Sequence, residues 1–408
     1  MPEARAYVAA EARQMAALCT RIDGAKLCAR ASRARGGLPC EIDLSPGSLS
    51  AMMGGQNCHA EITFDDGATW LARFRLARVS SPPLEVRDYI LRSEVATMLF
   101  LHSQTRVPVP KVIDWATESD PENDVGPGYI LMEKVKGKPL DWQSLTAGQK
   151  DQVMEQLVDI FLEIEKHPFD RIGSLMPPAS GSTGFEIQGI AHHSLFNMAE
   201  RGGRPLGPFD SSAGAARAIV ETYLDMIENG EICAEFLDDE RLAHQFSLDI
   251  IDDVWKGPRP GERFYLKHPD DKGDHILVDE SLNIVGIIDW EWTRTVSREE
   301  AFSSPCMMWP VARFYEGSNE LSEEELRFAH MFRSRGRDDL AECVLQGRKV
   351  QRFYFALGPA CGAHGDRKTF RDLLAGLRRA VGYEEGKWEA WKNKTGQRSG
   401  ENKDGVCS

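Results

Sequence analysis

A short apolar hairpin interrupts the helix-rich second half of this 408-residue chain and limits the folds that the chain can adopt. Two apolar runs, residues 275–279 and 284–289, are joined by a polar turn, whereas the apolar positions on either side of them recur at helical spacing. Asp270 lies just before the first run and Asp289 ends the second. Because a tight turn brings the open ends of two strands together, we expect these carboxylates to meet at one place.

Two carboxylates that meet in this way suit phosphoryl transfer. One carboxylate orients the attacking hydroxyl and accepts its proton, and the other holds magnesium on the phosphates. The alternative is that Asp270 and Asp289 are solvated turn residues, since aspartate favours turns by itself. The surrounding residues favour the first interpretation.

The run from residue 268 to residue 290 resembles the aminoglycoside phosphotransferase and choline kinase-like family, particularly its fungal branch of small-molecule kinases. The family motif is H-x-D-x-x-x-x-N, followed by an apolar strand, a turn and a second strand that ends in I-D-W. His268, Asp270, position 275 and residues 287–290 fit this register. The resemblance implies that Asp270 is the catalytic base, that Asp289 is the main magnesium ligand, and that ATP and Mg²⁺ are the cofactors.

A kinase of this kind needs three further parts in its N-terminal half. A glycine turn before the first clear strand would place backbone N–H groups over the phosphates. Its residues are Gly54, Gly55, Gln56 and Asn57. Apolar residues alternate with polar ones over 60–64 and again over 70–74, and an Asp66-Gly67 turn joins the two runs, which predicts a hairpin. Its second strand carries Arg73, which is expected to pair with Glu94 at the edge of an amphipathic helix. The resemblance implies that both residues belong to the nucleotide-binding set. Residues 129–140 resemble the family hinge, which implies that the Glu133 carbonyl and the Val135 N–H contact adenine.

These parts follow one another in the family's order between about residues 40 and 295. They predict an α+β, two-lobed protein-kinase-like fold with a small β-rich N-lobe and a larger helical C-lobe. Residues 168–210 are rich in glycine and proline and are interpreted as a long irregular insertion. The predicted boundaries are 1–40 for an N-terminal helical extension, 41–137 for the N-lobe, 138–390 for the C-lobe with the catalytic hairpin, and 391–408 for a flexible tail.

The sequence departs from the family pattern at two important positions. Arg73 stands where the family usually has lysine, and a planar guanidinium does not replace an ammonium in geometry. His275 stands where the family has a metal-binding asparagine, although magnesium prefers oxygen ligands. His275 therefore either leaves one metal position unfilled or donates a hydrogen bond to a phosphate. The adjacent Asp274 is the candidate that would supply the missing oxygen, so the predicted metal residues are Asp289, His275 and Asp274.

A second H-G-D run, at residues 364–366, is a decoy. Arg371 occupies the position of the asparagine, and an amphipathic helix follows instead of a strand pair. We therefore predict that Asp366 is a helix cap or turn residue.

Charge and cysteine usage limit the partners and the compartment. The chain has 49 basic and 63 acidic residues, a formal net charge of −14, and no long basic stripe, so nucleic acid is not expected as a partner. The nine cysteines include no C-x-x-C pair, which favours free thiols in a reducing compartment over disulfides or a zinc site. No run approaches the roughly 18 apolar residues of a membrane helix. Cytoplasm is the predicted location, with a mitochondrial transit peptide as the alternative for the arginine-rich first forty residues.

Two functional hypotheses remain. The first is an ATP-dependent kinase that phosphorylates a hydroxyl of a small molecule, and the family together with the negative charge favours a cationic amino alcohol or aminoglycoside-like sugar. Its acceptor would lie between residues 168–210 and the C-terminal helices. The second is a non-catalytic kinase-like protein that binds nucleotide or another small molecule. A protein kinase is a weaker third option, because no A-P-E motif follows Asp289. The pattern makes no prediction of oligomeric state.

The role of Asp274 is testable by substitution. If Asp274 supplies a metal oxygen, Asp274→Asn will raise the Mg²⁺ concentration needed for half-maximal ATP turnover. The Asp274 hypothesis is abandoned if this variant keeps the wild-type Mg²⁺ dependence while Asp289→Asn abolishes it.

Overall fold

The structure is a computed structural model, and its described part comprises residues 13–76, 81–178, 184–195, 203–231, 236–255, 261–355 and 366–404. The chain divides into two compact units. The first comprises Met1–Pro208 and Phe264–Val296, and the second comprises Phe209–Arg263 and Ser297–Ser408. The predicted lobes are continuous in sequence. The first unit is not, because it combines residues up to Pro208 with the segment Phe264–Val296, which contains the hairpin.

A five-stranded antiparallel sheet forms the N-terminal part of the first unit, with strand order β1-β2-β3-β5-β4. Its strands are β1 (Cys40–Ile42), β2 (Asn57–Phe64), β3 (Thr69–Arg75), β4 (Val112–Ala116) and β5 (Tyr129–Glu133). The predicted hairpin of β2 and β3 is confirmed. It turns at Gly67, whose φ of 80° lies in the left-handed region that glycine adopts without steric cost.

The helices of the first unit are α1 (Gly24–Ala34), α2 (Pro46–Ala51), α3 (Leu84–Gln104) and α4 (Ala147–Glu165), and residues 13–21 are also helical. The N-terminal helices pack on the sheet, where Leu27 and Ala31 of α1 share a core with Ala60 and Ile62 of β2, all 0% exposed. Burial of the alternating apolar face of β2 against these helices stabilises this sheet.

Helix α3 contains the predicted amphipathic segment, but it is more deeply buried than one stripe would require. Val95 is fully buried, and the polar neighbours Ser93, Glu94 and Thr97 are at most 3% exposed. A carboxylate at that depth requires a charged partner, because an unpaired buried charge is strongly destabilising. The identity of that partner defines the functional site.

The C-terminal part of the first unit is built from short strands. They are β6 (Lys138–Pro139), β7 (Ser174–Met176), β8 (Glu186–Gln188), β9 (Tyr265–Lys267), β10 (Ile276–Val278), β11 (Ile284–Ile287) and β12 (Arg294–Val296). The predicted apolar hairpin is confirmed as β10 and β11, with Ile276 opposite Ile287, and β6 adds a third strand. Its turn is held by Asp279, whose carboxylate accepts from the Ser281 and Asn283 amides at 2.9 and 2.8 Å.

The insertion predicted to be irregular contains regular structure. Strands β7 and β8 pair antiparallel within residues 168–210, with Leu175 opposite Ile187. Residues 179–183 and 196–202 of this stretch lie outside the described residues. The glycine and proline content of residues 168–210 predicts irregular connections, but it gives no sign of the short paired strands β7 and β8.

Helices make up the second unit. They are α5 (Ser212–Glu228), α6 (Leu237–Asp249), α7 (Ile251–Val254), α8 (Arg298–Ala301), α9 (Val311–Tyr315), α10 (Glu323–Ser334), α11 (Asp338–Leu345), α12 (Arg348–Phe355), α13 (Arg367–Ala380) and α14 (Glu385–Asp404). Asp366 caps α13 as predicted, since its carboxylate accepts from the Thr369 N–H at 2.8 Å. The decoy residues 364 and 365 lie outside the described residues.

Helix α14 crosses the predicted start of the flexible tail at residue 391. The Trp391 side chain is 8% exposed, and its indole N–H donates to Asp249 of α6 at 2.8 Å. The prediction of a flexible tail from residue 391 is therefore wrong at Trp391, because one aromatic anchor outweighs the polar composition around it. The last residues, 405–408, lie outside the described part of the chain.

Two further findings concern the chain as a whole. Six cysteines in the described part are free thiols, at positions 19, 28, 40, 58, 306 and 343. Over the same residues, no helix has the length and apolarity that crossing a lipid bilayer requires.

Gly173, just before β7, offers a test of this packing. A Cβ at this position would lie 1.9 Å from the Gln188 carbonyl oxygen, so Gly173→Ala forces the backbone apart. We expect a loss of about 2 kcal/mol in the free energy of unfolding, measured with urea. The control is Gly148→Ala in α4, where a Cβ meets nothing within 4 Å and a gain of about 0.5 kcal/mol is expected. Equal effects of the two variants would contradict this account.

Candidate active site

Arg73, near the end of β3, lies at the centre of a buried charge cluster. Its side chain is 7% exposed and forms an ion pair with Glu94 of α3, as the sequence predicted. The other arm of the guanidinium lies 2.7 Å from Glu291, and it is 3.9 Å from the Asp289 carboxylate. One guanidinium therefore connects the sheet, helix α3 and the segment that follows β11.

Glu291 has further donors around it. The Asn57 side chain donates to Glu291 Oε2 at 2.7 Å, and the guanidinium of Arg75 contacts Oε1. Asn57 is opposite Arg75 in the register of β2 and β3. Glu291 is 4% exposed, so its charge is compensated by these donors rather than by water.

The electrostatics keep Glu291 ionised. Burial by itself would raise the pKa of Glu291, but the two guanidinium groups of Arg73 and Arg75 and the donor of Asn57 outweigh it, and the pKa is lowered. The carboxylate is therefore charged at neutral pH, and the cluster is a set of true ion pairs.

The glycine turn leads directly into this cluster. The Gly54 N–H donates to the Asn57 carbonyl at 2.7 Å, and the Leu76 N–H donates to the Gln56 carbonyl at 2.8 Å. A Cβ on Gly55 would meet nothing within 4 Å, so one side of the turn is open space. The turn is thus fixed at its base beside Arg73, and its role in holding phosphates stays a prediction.

His268 connects the segment that carries Asp270 to the end of the hairpin. Its Nδ1 accepts from the Asp270 N–H at 3.2 Å, so the ring proton is on Nε2, which donates to the Ile288 carbonyl at 2.9 Å. Burial lowers the pKa of His268 and favours this neutral form. The Asp270 carboxylate remains 43% exposed and lies 2.9 Å from the ammonium of Lys272. Asp270 and Asp289 are therefore carried by segments that one imidazole joins.

His275 packs in the interior. Its ring stacks on His268 with centroids 4.1 Å apart, and the residue is 8% exposed. Burial above all, and then the neighbouring positive groups, lower the pKa of His275 to about 2. Its Nδ1 has no hydrogen-bond partner among the described residues. The ring is neutral and packs against the face of His268. This packing role was not predicted from the sequence.

Asp289 follows β11 in an unusual backbone conformation. Its φ is 62°, in the left-handed region, and its side chain is 58% exposed. The next residue, Trp290, is 1% exposed, donates from its indole N–H to the Ile287 carbonyl at 2.9 Å and packs edge-on against His268. The buried tryptophan fixes the backbone while the carboxylate is left accessible.

The predicted hinge residues lie on the same sheet as Arg73 but further along it. Glu133 is opposite Trp70 of β3, three residues from Arg73, a separation of about 10 Å along a strand. A Cβ on Gly286 of β11 would lie 2.9 Å from the Val135 side chain, so Val135 packs against the hairpin of β10 and β11. The hinge stretch therefore borders the site: Ile130, near its start, is opposite Arg73 in the register, and Glu133 lies further along the strand.

The donor set fits magnesium in part. Magnesium in phosphoryl-transfer sites is held through one or two carboxylates, with phosphates and water completing its shell. The accessible carboxylate of Asp289 fits this pattern, whereas the stacked, buried imidazole of His275 does not. Asp274 is exposed, and among the described residues no three His, Cys, Asp or Glu side chains are arranged to hold a metal by themselves.

Three residues of this site escaped the sequence analysis as site residues: Glu291, Arg75 and His59. Arg75 is two residues from Arg73 on one strand, and side chains at that spacing share a face, so the alternation contained a usable signal. Glu291 follows Asp289 by two residues but lies between β11 and β12, where the alternation of a strand does not apply, so its spacing gave no such signal. His59 is opposite Arg73 on β2, and its Nδ1 lies 3.0 Å from the Met52 carbonyl.

A model of the phosphotransferase enzyme family matches residues 62–296, which is more than half of the chain. The chain therefore belongs to the phosphotransferase enzyme family. This confirms the predicted aminoglycoside phosphotransferase-like membership and, with it, the predicted α+β kinase-like fold.

Individual relatives are more distant. A subtelomeric hrmA-associated cluster protein of Aspergillus fumigatus is 40% identical over 102 residues, which is 24% of this chain and 20% of that protein. An ethanolamine kinase of Plasmodium vivax has a TM-score of 0.47 at 10% identity, covering 85% of this chain and 83% of its own. An aminoglycoside 2′-phosphotransferase-IIIa solved with GDP has a TM-score of 0.45 at 15% identity, covering 88% and 98%. The chain thus matches only about a fifth of the length of the curated relative.

The two-armed contact of Arg73 is testable through stability. Lysine keeps the charge, but a single ammonium does not replace a fork that spans Glu94 and Glu291. We expect Arg73→Lys to lower the free energy of unfolding by about 2 kcal/mol in urea titrations. Arg313→Lys is the control, because Arg313 is 67% exposed and pairs with an equally exposed Glu320. It should cost no more than about 0.5 kcal/mol. A harmless Arg73→Lys would mean that the second arm contributes nothing.

Proposed function

We propose that this protein is an ATP- and magnesium-dependent phosphotransferase that transfers the γ-phosphoryl group to a hydroxyl of a small molecule. The observation that supports it most is the position of Arg73, which pairs with Glu94 of α3 and lies 3.9 Å from Asp289 beside the glycine turn. A basic residue, a helix carboxylate and a hairpin carboxylate at one point are the parts that position a nucleotide triphosphate.

Asp270 is the proposed base. Its carboxylate is 43% exposed, and the bond from its N–H to His268 fixes the backbone that carries it. In the proposed reaction, the acceptor oxygen forms a bond to the γ-phosphorus while the bond to the β-phosphate oxygen breaks. The hydroxyl proton passes to Asp270, and ADP is the leaving group. The ammonium of Lys272 lies 2.9 Å from this carboxylate and places a positive charge beside it.

The other site residues position the nucleotide in this proposal. The open side of the turn at Gly54 and Gly55 would present backbone N–H groups to the phosphates. The Glu133 carbonyl and the Val135 N–H would bind adenine, about 10 Å along the sheet from Arg73. Asp289, with Asp274 as a second candidate, would hold Mg²⁺, which when bound neutralises charge on the phosphates.

The acceptor in this proposal is a small, cationic molecule such as an amino alcohol or an aminosugar. The formal net charge of −14 supports it, because an acidic surface raises the local concentration of cations. The free thiols of the described cysteines support a reducing compartment, and cytoplasm is the location we propose.

A second candidate function is nucleotide binding without turnover. It is favoured by His275, which replaces the metal-binding asparagine of the motif and is stacked in the interior. Such a protein would bind nucleotide through the same turn and hinge but would lack one metal ligand.

The proposed chemistry is tested with Asp270→Asn. We expect ATP turnover, measured across a panel of amino alcohols and aminosugars, to fall by about 10² or more, because general-base catalysis contributes a factor of this size. The stabilisation of the fold by Mg-ATP, measured as a shift in melting temperature, should persist in this variant.

Glu280→Gln is the matched control, since Glu280 is a 94% exposed carboxylate on the same hairpin. It should leave turnover unchanged. Stabilisation of the wild type by Mg-ATP without transfer to any member of the panel would favour the second candidate, and the absence of both effects would reject both functions.

A further inference from the structure

Glu291 is a buried carboxylate whose two oxygens both contact donors from other parts of the chain. It is 4% exposed, and both of its oxygens have donors: Arg75 contacts Oε1, while Arg73 and Asn57 contact Oε2 at 2.7 Å each. These donors come from two different strands, β2 and β3. The carboxylate therefore joins the strand that follows the glycine turn to the strand that carries Arg73.

The presence of arginine rather than lysine at position 73 follows from this arrangement. One terminal nitrogen of Arg73 pairs with Glu94 and the other with Glu291. A planar fork serves two carboxylates in fixed directions, whereas an ammonium is a single point charge. Arg73, which stands where the family usually has lysine, thus has a second carboxylate, Glu291, that pairs with its second terminal nitrogen.

Glu291 also lies between two backbone positions that need external support. Asp289 has a φ of 62° and Trp292 a φ of 64°, both in the left-handed region. Such conformations persist only where the surrounding contacts over-determine them. Trp292 is a bulky residue for which this region is especially unfavourable. Glu291 is the charged anchor inside this segment, and Trp290 is the apolar one.

We propose that Glu291 is a positioning residue for phosphoryl transfer, an inference that rests on the proposed function. Through Arg73, Arg75 and Asn57 it fixes the distance between the glycine turn and the Asp289 carboxylate. Both of its oxygens face guanidinium or amide donors, so its role is to hold the site together and not to bind the nucleotide or its metal directly.

The test compares Glu291→Gln with a matched buried carboxylate elsewhere. Glu325 is 0% exposed and pairs with Arg348 at 2.6 Å in the second unit, so Glu325→Gln makes the same chemical change in a similar environment. Both variants should lower the melting temperature. Only Glu291→Gln should lower kcat for ATP turnover, by about tenfold or more. The KM for ATP should stay within about twofold, because the nucleotide contacts themselves are retained.

A readout without nucleotide accompanies the kinetics. If Arg73 and Glu291 act as one unit, the urea midpoint of the Arg73→Lys, Glu291→Gln double variant will fall by less than the sum of the decreases in the two single variants. Should Glu291→Gln prove too unstable to purify, Arg75→Lys removes one of the contacts while keeping the charge. Arg75→Lys should also lower kcat, but by a smaller factor than Glu291→Gln.

These experiments distinguish failure of the positioning role of Glu291 from failure of the proposed phosphotransferase function. Wild-type turnover with an unchanged kcat in Glu291→Gln, or strictly additive midpoints, overturns the positioning role and leaves the proposed function standing. A raised KM with an unchanged kcat would identify Glu291 as a ligand contact and would also overturn it. A wild type that neither binds nor turns over Mg-ATP removes the proposed function, and the inference with it.

Discussion

The buried guanidinium of Arg73 is the contact on which this site depends. A charge in a protein interior is tolerated only with a partner, and here the partners, Glu94 and Glu291, come from regions about 200 residues apart in the chain. Neither carboxylate is stable at its depth unless strand β3, helix α3 and the segment after β11 are docked together. Ion pairing therefore couples the correct assembly of the first unit to the completion of its candidate active site.

The apolar and neutral aromatic residues beneath this cluster determine how well it is held. Trp290 and the stacked rings of His268 and His275 pack beneath the hairpin of β10 and β11, and His268 bonds the segment of Asp270 to Ile288. The carboxylates of Asp270 and Asp289 remain accessible to solvent beside this buried packing. A buried scaffold with accessible carboxylates is compatible with the phosphoryl transfer proposed above.

Much of the fold could be read from local pattern. Strict alternation identified β2 and β3, and helical spacing identified α3 and the helices of the second unit, because burial of one face imposes a period. The pairing of Arg73 with Glu94 followed from the same periodicities. The short strands β7 and β8 and the anchor at Trp391 did not, since two or three residues give no period and a single aromatic residue does not reveal its partner.

Spacing along the chain was enough to predict the family, the kinase-like fold and the pair of aspartates at the open end of one hairpin. The three-dimensional arrangement was needed to place Glu291 and Arg75 in the site and to show that His275 packs as a neutral ring. It also explains why position 73 carries an arginine. The physical reason is that a charged residue gives no sign of its partner in the sequence. Its role is set by which opposite charge folding brings within a few ångströms, and by how much water remains between them.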